Sequence, residues 1–110
     1  MVSKSNVTKA TDIPLEVKKI VLERDKECCI FCGKVVGMEC ASAHIVPRSD
    51  LGLGIEQNII TACPRCHRKL DQSLSREVML EVARNYIASI YGYWREYRYD
   101  KYKYLKGERE

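Results

Sequence analysis

Residues 62–71 read ACPRCHRKLD, and the chemistry of this decapeptide decides how the rest of the chain is read. Cys63 and Cys66 stand at two-residue spacing, His67 follows at once, and Asp71 lies four positions after the histidine. Upstream, Cys29 and Cys32 form a second Cys-x2-Cys pair, separated from the first by thirty residues, enough chain for a hairpin to fold back. Four thiolates close a tetrahedral zinc site, so these cysteines are assigned to one structural zinc. A redox pair or chance burial would explain one pair but not both. Cys28 is a possible substitute ligand beside Cys29, and Cys40 reads as a small buried apolar residue.

With sulfur filling the tetrahedron, His67 needs another role. Neighbouring helical residues point about 100° apart, so Cys66 and His67 face different surroundings. His67 and Asp71, at i and i+4, share a face if a helix starts at the knuckle. Imidazole and carboxylate so placed can hold a second divalent ion with open positions for water or phosphate oxygen. They can also be a surface hydrogen-bonded pair, and the spacing alone leaves both readings open.

The whole chain sets the frame. At 110 residues it is one small domain, expected to act as a monomer, for which a metal staple adds to a modest core. With 19 basic and 15 acidic side chains it carries a formal charge of +4, which suits a polyanionic partner without requiring one. Met1 to Thr11 is polar and unlike a signal peptide, so the cysteines are expected to meet a reducing cytoplasm as metal ligands, not disulfides. No segment approaches the ~20 apolar residues needed to cross a bilayer.

Three regions are expected: a loose tail over 1–11, a folded domain over 12–92 and a basic, tyrosine-rich extension over 93–110. DIPLEVKKIVLERD opens with Asp12 as a cap candidate and Pro14 as a helix start, and Val17, Ile20 and Val21 make an apolar stripe. CCIFCGKVVGMECASAHIVP, residues 28–47, suits a knuckle and a short strand pair; RSDLGLGIEQN is a loop, and NIITAC a short buried strand. From Ser75, Met79, Val82, Ala83, Tyr86, Ile87 and Ile90 keep helical period up to a stop at Gly92. The last stretch interleaves tyrosines with Arg98, Lys101 and Lys103. Tyr86 to Trp94 is read as packing on the core, and the part beyond as a DNA or partner contact.

The order His44, Pro47, Arg48, Asn58, Cys-x2-Cys-His67 resembles the HNH endonuclease superfamily over roughly residues 20 to 75, with the cysteines matching its zinc-containing branch. In style it is similar to small stand-alone HNH proteins of bacteriophages. The resemblance implies a small α+β fold: a ββα-metal motif stapled by the zinc knuckle and flanked by an N-terminal and a longer C-terminal helix. It implies His44 as general base, Asn58 as the residue holding the His44 loop, and His67 with Asp71 on a catalytic divalent cation such as Mg2+ or Mn2+. Arg48, Arg68 and Lys69 would then contact DNA, and a phage terminase is a conceivable partner. One position departs: the residue before the general base is usually a metal ligand in this superfamily, and here it is Ala43. Either Asp71 and water compensate, or the chain is a degenerate module that binds DNA or a phage packaging protein without cutting. Glu39 is about 13 Å from Ala43 along an extended strand, whereas Glu56, in the loop before Asn58, is a candidate extra ligand.

Overall fold

Pro14, with φ fixed near the helical value, and Glu16 in the first turn start the helix that the sequence leads one to expect. The computed structural model describes residues 6–100. It places a short α1 at Asn6–Thr11, then α2 at Leu15–Arg24. Residues 6–11 are therefore helical, where the polar composition had suggested a tail. Thr11 closes α1 by donating its hydroxyl to Val7 O at 2.8 Å and is buried.

The strand pairing is the second correction. Within 28–47 only an isolated bridge, Cys28 to Val35, closes the knuckle. The hairpin instead pairs β1, Ala43–His44, with β2, Ile59–Ile60, antiparallel, with Ala43 opposite Ile60 and His44 opposite Ile59. The long 45–58 loop between them is held by the side chain of Asn58. Then α3, Pro64–Gln72, rises from the second cysteine pair, with Pro64 at its first position, and α4 spans Arg76–Tyr91. Gly92 ends α4 at φ 93°, a left-handed cap that suits glycine. The result is a small α+β fold with a ββα motif.

Alternation along the strands sorts the core into two parts. Ala43 and Ile60 join Ile45, Cys29, Cys63, Cys66, Leu70, Leu80, Ala83 and Ile87 on one side. Ile59 joins Val21 and Ala41 on the side of α2. Val82 and Ile90, expected on the buried stripe of α4, are 46% and 43% exposed, and Leu80 takes that place in the core.

A buried ion pair at the end of α2 ties the parts together. Arg24 Nε donates to Asp25 Oδ1 at 2.7 Å, and its other nitrogens donate to Glu56 O at 2.6 Å and Ile59 O at 2.8 Å. Asp25 accepts from Thr61 N–H at 2.9 Å and from the Tyr86 hydroxyl of α4. The pair thus satisfies backbone groups next to the short β2 that its two-residue ladder leaves over.

Beyond α4 the chain turns back. Leu53 N–H donates to Tyr97 O and Tyr99 N–H to Leu51 O, 2.9 and 2.8 Å. Tyr97 is buried, with its ring edge-on to Trp94 at 5.1 Å. Residues 97–99 therefore brace the 51–53 loop, where a DNA or partner contact was expected beyond Trp94. Lys101 and Lys103 lie outside the described residues.

Candidate metal centre and active site

The four sulfurs of Cys29, Cys32, Cys63 and Cys66 all lie within 4.8 Å of one another. Cys32 and Cys63 are 3.7 Å apart. Zn–S bonds of about 2.3 Å at tetrahedral angles put sulfurs about 3.8 Å apart, so this set fits zinc. The local structure also prepares for anionic sulfur. Cys63 caps α3, and the Cys66 N–H points at its Sγ, 3.5 Å away. Burial works against the Cys29 thiolate, yet backbone donors at Cys63, Cys32 and Phe31 outweigh it and bring the thiol down to about 7. Burial, with hydrogen bonds to Cys63 and Cys29, pushes Cys66 up to about 12. A shared cation removes that competition among crowded thiolates. Cys28 stays outside the cluster, and Cys40 is a buried thiol raised first by burial and then by Glu39.

On the next face of α3, His67 Nε2 lies 3.6 Å from Asp71 Oδ2, with side chains 35% and 58% exposed. Two donors at that separation can both reach one ion with bonds of about 2.1 Å while leaving it open to solvent and substrate. Three of the four sulfur ligands, by contrast, are buried.

His44 sits on β1, half-buried. Its Nε2 is 2.9 Å from Thr11 O. A carbonyl only accepts, so Nε2 carries the hydrogen and Nδ1 keeps its lone pair. Burial, the largest influence, lowers the His44 pKa; the Thr11 carbonyl opposes this, and the charge of His67 lowers it further. The two histidines are thus within electrostatic reach.

Asn58 is fully buried and works entirely on the backbone. Its Oδ1 accepts from Val46 N–H at 2.8 Å, and its Nδ2 donates to Val46 O at 3.2 Å and Leu53 O at 2.9 Å. Its own carbonyl accepts from Ile45 N–H at 2.9 Å, directly after His44.

The basic residues divide. Arg48 is exposed, ion-paired with Asp12, and lines a cleft with His44. Arg68 and Lys69 project beside the sulfur cluster instead, in a depression shared with Cys32, Lys34 and Arg65. Ala43 is fully buried and offers no donor. Glu56 lies near Tyr91, whose pKa is raised first by burial, with Arg24 opposing and the Glu56 carboxylate adding to the rise.

Residues 29–73 match the family model described as HNH endonuclease. Those residues contain all four clustered cysteines and His44, Asn58, His67 and Asp71. This segment is similar to an HNH endonuclease domain. The chain is also 29% identical over 73 residues to the type IV methyl-directed restriction enzyme EcoKMcrA of Escherichia coli (strain K12), covering 60% of this chain and 26% of that protein. The chain thus spans about a quarter of the relative it matches. Residues 29–73 do not contain two contributors to the site: Thr11, whose main-chain carbonyl accepts a hydrogen bond from His44 Nε2–H, and Asp12, the partner of Arg48. The Asp12–Pro14 helix signal marks the neighbourhood, but no side-chain pattern advertises a backbone acceptor.

Proposed function

We propose that this protein is a metal-dependent endonuclease that hydrolyses DNA phosphodiester bonds with little sequence discrimination. The observation that carries the reading is the state of His44: half-buried, its Nε2–H fixed on Thr11 O and its pKa lowered, so that Nδ1 is a free base near neutral pH. Nδ1 accepts a proton from a water as its oxygen attacks phosphorus. The P–O3′ bond then breaks, and the 3′ oxygen leaves as a hydroxyl after protonation from solvent. Asn58 holds the 45–54 backbone and so the aim of the ring. His67 and Asp71 would hold the divalent cation, which supplies charge stabilisation at the phosphate and the departing oxygen. The four cysteines would hold zinc, fixing the hairpin against α3.

Supercoiled plasmid with magnesium or manganese is expected to relax or become linear, and His44→Ala to abolish this with zinc content unchanged. Equal cleavage by the variant would refute the general-base role. Ala43, fully buried where a ligand is usual in the resemblance, favours a second reading: a zinc module that binds DNA or a packaging protein without cutting. That reading expects salt-sensitive binding and intact plasmid with every divalent ion.

A further inference from the structure

The cleft beside His44 has a volume of about 650 Å³, and half of its polar lining comes from residues that precede the 29–73 segment. Lys9 stands on α1, Asp12 follows that helix, and Lys18 stands on α2; Ser42, His44 and Arg48 complete the wall. Three cations thus face one carboxylate, which is already engaged by Arg48. Neither lysine has an ion-pair partner among the described residues. Cations gathered in a concave wall repel one another and attract a polyanion, whose local concentration they raise. The cleft is open, has room for more than one phosphate, and is lined by the group assigned as general base.

We propose that Lys9 and Lys18, with Arg48, form a phosphate track that carries the backbone of duplex DNA across the α1–α2 junction to His44. The track rests on the nuclease reading for its direction, but its binding does not depend on cleavage. Each lysine contacts a backbone phosphate, and Arg48 exchanges Asp12 for a phosphate oxygen when DNA enters. The helices that precede the 29–73 segment are therefore part of the substrate site as well as a support for His44.

The test is the binding of a fluorescent duplex, followed by anisotropy from 50 to 200 mM salt without added divalent metal. Lys9→Gln with Lys18→Gln should lower the slope of log affinity against log salt by roughly 2, from about 0.9 per phosphate contact, and weaken low-salt binding roughly tenfold. Lys9→Arg with Lys18→Arg should restore both. Lys19→Gln, on the part of α2 that lines a different depression, should leave the slope nearly unchanged. An unaltered slope in the double glutamine variant overturns the track, as does a wild type that fails to bind the duplex. Lysine-dependent binding without plasmid cleavage keeps the track and removes the nuclease reading; cleavage with lysine-independent binding does the reverse.

Discussion

One nine-residue helix, with its N-cap Cys63, carries donors of two different designs. Cys63 and Cys66, with 3% and 7% of their surface exposed, turn sulfur into the core and meet buried Cys29 and exposed Cys32 in one four-sulfur set. His67 and Asp71, 35% and 58% exposed, present nitrogen and oxygen to solvent on the adjacent face. On the proposed function, the difference teaches how a small domain separates stability from chemistry. A metal that completes the core must be closed and sulfur-rich, whereas one that meets a phosphate must stay open and oxygen-tolerant. The step of about 100° per helical residue is enough to keep the two apart.

Removing the buried donors should break the comparison most severely. Structural zinc in small domains contributes on the order of 10 kcal/mol to folding, more than a chain of this size has to spare. Cys63→Ser, or zinc withdrawal by a chelator, is therefore expected to abolish cooperative thermal unfolding and cleavage together. A folded, cutting Cys63→Ser protein would remove the zinc from the core's accounting.

Next in size is the support shared by both regions. Asp25→Ala leaves Arg24 buried without its partner and Thr61 N–H without an acceptor, which should cost about 3–5 kcal/mol in urea unfolding. A loss below about 1 kcal/mol would mean that β2 and α4 do not depend on the pair.

Asp71→Ala should act on the open site alone. It removes one of two donors on an exposed helix face, so stability should move by no more than about 0.5 kcal/mol. The manganese concentration for half-maximal plasmid nicking should rise at least about 10- to 100-fold. An unchanged metal requirement would detach Asp71 from the cation.

The smallest effect is in pH. The folded-state pKa of His44 is lowered from 6.5, chiefly by burial, so the unfolded chain takes up a proton first as pH falls. Its contribution to stability is full above about 6.5 and is lost as pH drops through the lower folded value. The acid limb of the nicking rate should likewise lie below about 6.5. A limb well above that range would assign the base to another group. His44→Gln should flatten the stability change over the same window.

The sulfur cluster was fully legible in the chain because cysteine spacing encodes ligand geometry almost directly. The α4 helix was legible too, since period and a glycine cap are local signals; its inward residue Leu80 was not, because rotation about the helix axis is set by what it packs on. The hairpin register eluded the sequence: strands of two residues carry too little alternation, and the pairing of Ala43 with Ile60 is fixed by the Asn58 side chain and the Arg24–Asp25 pair. The α1 helix was hidden by its polar composition. Gly54 looked like loop chemistry, yet a Cβ there would lie 1.8 Å from Asp12 O, so it is the close approach of this loop to the α1–α2 link that calls for glycine. That approach is long-range, and a single sequence holds no trace of it.

The division of labour along α3 is tested most directly by measuring zinc stoichiometry and plasmid nicking on one preparation of His67→Ala. We expect one zinc per chain, a wild-type unfolding temperature and no nicking. Loss of the zinc, or nicking at the wild-type rate, would contradict the separation of the two sites.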